Sequence, residues 1–378
     1  MSDCKIRPLA ITLIVACVLG PISAGAQAAA VNATDTNHWV DPVNAPAEIM
    51  PLATHALLLD IVRSGDYYIA VGARGNVLRS KDADKWVQVE VPTRTTFTAV
   101  TAVDNQVWAV GHAGVIAHSD DAGEHWQIQR KDPWHPANEG SNAMKDPRQG
   151  APLLDVLFAD AMHGFAVGAY SLALRTSDGG KTWTTIAVTS PANANTGEAT
   201  SDTVHSEDSD HSGVLDESEM TLDQEPNPHL NAIARTGSGG LFIVGERGSA
   251  FRSRDDGTTW KRLKLPYDGS MFGVLGYEAD RVIAFGLRGH VFESTDLGDH
   301  WTKLETDTEL SLMGGAKLPD DGAVIVGANG IVLTRNKADQ ALQSYVDQPA
   351  GIIAAVLPTQ AGPLLIAGEN GISTFQPH

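Results

Sequence analysis

The chain has 378 residues, 42% of them hydrophobic and 19% charged, enough to build a substantial core without cross-links. Its formal net charge of −19 argues against nucleic acid or an anionic lipid surface as a partner. Both cysteines, Cys4 and Cys17, fall near the N-terminus, so the rest of the chain carries no disulfide, thiol nucleophile or Cys-ligated metal.

Lys5 and Arg7 precede an apolar stretch from Pro8 to Gly20, followed by small-residue sites at Ala24-Gly25-Ala26 and Ala26-Gln27-Ala28. This order predicts a secretory signal peptide over residues 1–28 and a periplasmic or secreted mature protein without a membrane span. The apolar run is too short, and too soon broken by Gly20-Pro21, to read as a spanning helix. Ile14-Val15-Ala16-Cys17 resembles a weak lipoprotein box; the apolar run continuing through Ala30 favours cleavage after Ala26 or Ala28 over anchoring at Cys17.

Residues 29–378 are expected to form one domain made of repeats. An apolar-Gly motif recurs at Val71-Gly72, Val110-Gly111, Val167-Gly168, Val244-Gly245, Phe285-Gly286, Val326-Gly327 and Ala367-Gly368, the last four 41 residues apart. The unit Leu230 to Pro266 holds four β-rich runs (Leu230 to Ala234, Leu241 to Val244, Ser249 to Arg252, Trp260 to Leu265) separated by Gly-rich or Asp-rich turns. Four short antiparallel strands per repeat predict an all-β, seven-bladed β-propeller, stabilised by stacking of blades that cannot bury both faces alone. The blades are expected at about 55–92, 95–130, 151–190, 229–266, 270–306, 311–347 and 351–376, with insertions at 131–150 and 189–228. The last unit ends after its third strand, while Trp39-Val40-Asp41-Pro42-Val43 reads like the opening of a fourth. Residues 37–45 are therefore expected to complete the seventh blade and latch the ring.

Between the third and fourth strands the chain repeats Ser/Thr-x-Asp-x-Gly-x-x-Trp: Ser119 to Trp126, Thr176 to Trp183, Ser253 to Trp260 and Ser294 to Trp301, with a shorter relative from Ser80 to Trp86. The side chains of Asp82, Asp121, Asp178, Asp255 and Asp296 are suited to accept N–H groups of their own turns. The glycines permit a left-handed backbone, and Trp86, Trp126, Trp183, Trp260 and Trp301 bury an apolar face beneath. The phrase reads as a structural brace.

This phrase resembles the Asp-box of the bacterial neuraminidase repeat. Together with the apolar-Gly-x-x-Gly motif, and most closely over His163-Gly164-Phe165-Ala166-Val167-Gly168 and Arg175 to Trp183, the chain resembles the photosystem II stability/assembly-factor-like family of seven-bladed propellers, in its non-photosynthetic bacterial branch. Thr334-Arg335-Asn336-Lys337 departs from the pattern by lacking both Gly and Trp. The resemblance implies a non-enzymatic factor that binds a subunit of a membrane complex, photosystem II in photosynthetic members. For this branch it implies a membrane protein or exporter subunit, with RND-type exporters as the suggested association. An Arg-rich patch is a feature of the photosynthetic members, and the acidic balance of this chain weakens its transfer here.

The turns between second and third strands, and the connections between blades, are expected on the face opposite the Asp-boxes. Arg74, Arg247 and Arg288 occupy one equivalent position there, with Tyr170 in another blade; they are candidates for contacting acidic groups or a chain terminus of a partner. The plain alternative is that they solvate the rim or pair with the acidic insertion. Trp134 in the first insertion is a candidate anchor. The second insertion reads as a solvated acidic spacer; Asp208, Asp210, Ser212 and Glu219 partly match a calcium loop, but no flanking helices accompany them. A monomeric scaffold or assembly factor without cofactor is thus the leading reading. A glycoside hydrolase of the Asp-box type and a calcium-dependent binding module are the alternatives.

Overall fold

The computed structural model describes residues 40–132, 148–188, 227–349, 351–360 and 362–377. The expected signal peptide, Trp39, Trp134 and the calcium candidates Asp208, Asp210, Ser212 and Glu219 lie outside these residues. Among the described residues no helix is long and apolar enough to cross a membrane.

The chain folds into seven separate antiparallel sheets, six of four strands and one of three, each with its strands in sequence order. Residues from the first strand of all seven line one central channel of about 260 Å³. The sheets are thus the blades of a seven-bladed β-propeller. Burial follows the position of a strand within its blade. The second strands, such as Val282–Gly286, are buried along all or nearly all of their length because blades press on both faces, and their buried parts are continuous apolar runs. Fourth strands such as Lys261–Lys264 stand at the outside and are almost wholly exposed. The core is a series of apolar layers between blades: Ile69, Val71 and Val77 of blade one meet Phe97, Val107 and Ala109 of blade two.

The apolar-Gly motif marks the end of each second strand. A Cβ on Gly72 would lie 2.2 Å from the Leu57 carbonyl oxygen, and one on Gly111 2.0 Å from that of Thr96. The backbone at both glycines is extended, so glycine is required by the close approach of the chain entering the first strand, not by its dihedral.

Ring closure departs from the sequence expectation. The seventh sheet has three strands among the described residues: Ile353–Pro358, Leu364–Gly368 and Gly371–Phe375. Residues 40–45 do not extend it. Pro42–Asn44 form a short 3-10 turn in which Asp41 Oδ1 accepts the Val43 N–H, and Val43 is buried with Val91 and Phe97 between blades one and two. Proline has no N–H for a ladder bond, and the Asp41 cap favours a turn over a strand. Among the described residues, blades one and seven meet by apolar packing: Leu58, Ile61, Tyr68 and Leu78 of blade one meet Ala355, Leu365 and Ala367 of blade seven, with Ala53 inserted among them. The approach of the N-terminal segment is close, since a Cβ on Gly371 would lie 2.0 Å from the Thr54 carbonyl oxygen. Residues 40–57 thus form a strap that lies over blades one and two and then over the seven–one junction.

Candidate partner-binding site

The Asp-boxes spend their polar groups internally. Asp255 Oδ1 accepts the Ser253 hydroxyl at 2.7 Å and the Thr259 N–H at 2.9 Å, and Oδ2 accepts the Thr259 hydroxyl at 2.6 Å. The hydroxyl and amide of Thr259, with Ser253, hold Asp255 down at about 2; those of Thr182 do the same for Asp178. For Asp296 the His300 amide is the main cause, and its carboxyl lies well below the usual range despite burial. Burial works against ionisation of Asp121, but bonds from His125, Ser119 and Glu124 overcome it. Amides of Lys85 and Asp84 lower Asp82.

Each box also reaches the preceding blade. Trp260 of blade four stands edge-on to Phe165 of blade three with centroids 6.3 Å apart, and Trp301 of blade five faces Phe242 of blade four at 5.6 Å. A Cβ on Gly257, whose φ is +76°, would collide with Phe165 at 2.5 Å. Trp126 joins the layer between blades one and two, Trp86 that between seven and one, and Trp183 that between two and three. Arginines of third strands complete the join: Arg79 Nε donates to the Ala122 carbonyl at 2.9 Å, and Arg252 Nη1 to that of Leu297 at 3.1 Å. The repeated phrase therefore fastens blade to blade. Where blade six has no box, Arg335 of blade six reaches back to Glu293 of blade five at 2.8 Å.

The opposite rim carries the candidate residues. Arg74, Arg288 and Tyr170 each occupy the middle of a short 3-10 turn joining second and third strands, with left-handed φ of 60°, 55° and 55°. Arg247 has φ 51° in the equivalent turn of blade four. Ala113 and Asn329 share the conformation at 53°, so it belongs to the turn and not to arginine. The shape holds these side chains exposed on one face, on blades one, three, four and five. They do not clasp one group. Arg74 lies 3.4 Å from Glu48 of the strap, which also pairs with Arg94 at 2.8 Å. Tyr170 meets His229 edge-on at 5.0 Å. Arg288 stands on an open groove of about 860 Å³ shared with Gly289, His290, Lys303, Thr308 and Glu309, and Tyr267 stacks on His290 at 3.9 Å.

Sequence reasoning missed Glu48 and Arg94, because the strap has no counterpart in the repeat. It also missed the channel. Asp60 and Asp155 stand where the aligned blades carry Ala99, Ala232, Gly273, Gly314 and Ala355, a contrast visible once the repeats are superposed. Asp60 Oδ2 accepts the Val100 N–H of blade two, and Asp155 Oδ2 the Ile233 N–H of blade four, each at 2.8 Å. Their other oxygens accept the amides of Ile61 and Val156. Burial outweighs these bonds and pushes both carboxyls up to about 7, with repulsion from Asp155 adding to the effect at Asp60.

No protein-family model matches the chain, and no curated protein matches it by sequence. Solved structures do. YCF48 from Cyanidioschyzon merolae is 16% identical with a TM-score of 0.61, over 88% of this chain and 99% of that one. A structure described as YCF48 bound to D1 peptide is 17% identical with a TM-score of 0.58, over 90% and 98%. A streptogramin B lyase structure is similar at 12% identity and a TM-score of 0.61, over 89% and 94%. At these identities the likeness shows the propeller fold.

Proposed function

We propose that the chain is a non-enzymatic binding disc, exported from the cytoplasm, that engages a membrane-protein partner through the rim bearing Arg74, Tyr170, Arg247 and Arg288. The observation that carries this reading is the asymmetry between faces. On the box face the five Asp side chains are committed to their own turns and the flanking residues to neighbouring blades. On the rim, large side chains project from left-handed turns, and a groove stands open beside Arg288. The structure of YCF48 bound to D1 peptide supports a propeller of this shape as a binder of a peptide segment. An exporter subunit of the RND type is the partner suggested by the sequence resemblance. Affinity recovery from detergent-solubilised membranes, comparing wild type with Arg247→Glu/Arg288→Glu, tests the reading. Loss of the partner is expected; undiminished recovery would refute it.

A further inference from the structure

Blades one and five carry the same rim groove in two states. The turns match, Arg74 with Arg288 and Gly75 with Gly289. Strand pairing matches Gln88, opposite Leu78, with Lys303, opposite Phe292. The connections match as well: a Cβ on Gly75 would lie 2.3 Å from the Thr93 carbonyl oxygen, and one on Gly289 2.0 Å from that of Thr308. The next residue is Arg94 in blade one and Glu309 in blade five.

In blade one the groove is filled by the strap, in an extended-peptide manner. The Ala47 N–H donates to the Val91 carbonyl at 2.9 Å. Gln88 brackets the strap backbone, donating to the Glu48 carbonyl at 3.0 Å and accepting the Met50 N–H at 2.7 Å. The Glu48 carboxylate meets Arg94 and Arg74. Ala47 lies over Gly75, its Cβ 3.1 Å from where a Cβ there would stand. On other blades the chain's own connections close onto the turn: Arg130 Nη1 donates to the Gly114 carbonyl, the Ser171 hydroxyl to that of Pro228, the Gly248 N–H to that of Gly269 and the Gly330 N–H to that of Gly351. In blade five the connection reaches the turn as well, the Thr306 hydroxyl donating to the Gly289 carbonyl at 2.8 Å, and Thr308 supplies the atoms nearest to a Cβ on Gly289; the 860 Å³ groove stands open beside them.

We propose that the blade-five groove receives an extended segment of the partner protein as blade one receives Pro46 to Met50. The Thr308 methyl holds the place over Gly289 that Ala47 takes over Gly75, and an acidic side chain of the segment meets Arg288. Lys303, paired with Glu305 at 3.6 Å, donates to a backbone carbonyl as Gln88 does but, having no acceptor, leaves out the N–H bond that Gln88 also makes. Charge complementarity fixes one difference: Glu309 replaces Arg94, and Glu305 and Asp307 line the same groove, so the partner segment carries a basic side chain beside its acidic one. The inference rests on the rim reading above and adds the chemistry of what the rim recognises.

The test uses the full chain and a fluorescein-labelled peptide of the strap, Pro46 to Leu52, followed by anisotropy. Binding to wild type is expected, weakened at least about tenfold by Arg288→Glu, as for loss of a charged hydrogen-bond partner. Glu309→Arg rebuilds the blade-one pairing and is expected to tighten binding several-fold. A peptide carrying Glu48→Lys is expected not to bind. Equal binding to wild type and Arg288→Glu, or no gain from Glu309→Arg, would overturn the assignment. Self-association of the wild-type chain that disappears in Arg288→Glu would give the groove to a second copy's strap, and would also overturn it. Membrane recovery with the same variants separates the two readings. Partner loss in Arg288→Glu without peptide binding keeps the rim and sinks the groove; peptide binding with undiminished recovery sinks the rim.

Discussion

Arg335 of blade six, only 1% exposed at its side chain, reaches Glu293 of blade five at 2.8 Å and occupies the junction that an Asp-box serves elsewhere. Glu293 sits opposite Ile283, as Arg79 sits opposite Ile69 and Arg252 opposite Phe242. In blades one and four, where the next blade offers box carbonyls, the third strand supplies arginine, with His118 at this place in blade two; where the next blade offers arginine the third strand supplies a carboxylate. Arg335→Ala would leave a half-buried carboxylate with Arg281 alone, and a loss of about 3 kcal/mol in denaturant titration is expected. A loss below about 1 kcal/mol would show that the pair does not fasten the junction.

Trp260→Ala should act on the junction between blades three and four rather than on blade four alone. Removing this ring is expected to cost about 3 kcal/mol. Hydrogen exchange is expected to rise in the second strand of blade three, around Phe165 and Val167, which share its apolar layer. Faster exchange confined to Lys261–Lys264, its own fourth strand, would make the box a brace within a blade only.

The pH dependence of stability should have two limbs of opposite sign. Asp60 and Asp155 titrate at about 7 in the folded chain, above the ordinary carboxylate range, so their contribution is complete below about pH 4 and is lost as pH rises through 7. Asp178 and Asp255 are held at about 2, so their contribution is present above about pH 4 and is lost as pH falls toward 2. The box carboxylates are exposed, and solvent screening keeps the acid limb shallow. Melting temperature is therefore expected to rise from pH 8 to pH 5 and fall below pH 4. Asp60→Asn/Asp155→Asn should flatten the alkaline limb while lowering stability at pH 5, because an amide nitrogen cannot accept a backbone N–H. An unchanged alkaline slope would place its origin elsewhere.

The period of the chain, with its apolar-Gly and Asp-turn phrases, carried the propeller and the two faces, because the same contacts recur at each blade. Closure was not legible. Trp39 to Val43 has the composition of a strand, but where Val43 packs depends on the Val91–Phe97 groove, which only the assembled ring creates. The rim arginines were legible as equivalent positions, while their difference in environment was not. Glu48 near Arg74 and the open groove at Arg288 arise from a segment outside the repeat.

The strap pair itself should matter little to folding. Glu48 and Arg74 are both largely exposed, so Glu48→Gln is expected to change stability by no more than about 1 kcal/mol in thermal denaturation. A larger loss would show that the Glu48 carboxylate, and not only the strap's apolar contacts at Val43 and Ala53, holds the strap to the ring.

Site-specific photo-crosslinking in membranes examines the choice of face most directly, with a photoreactive residue placed at Arg288 on the rim or at Lys261 on the outer fourth strand beside a box. A membrane-protein adduct from position 288 and none from position 261 is expected. An adduct from 261 with none from 288 would contradict binding through the rim.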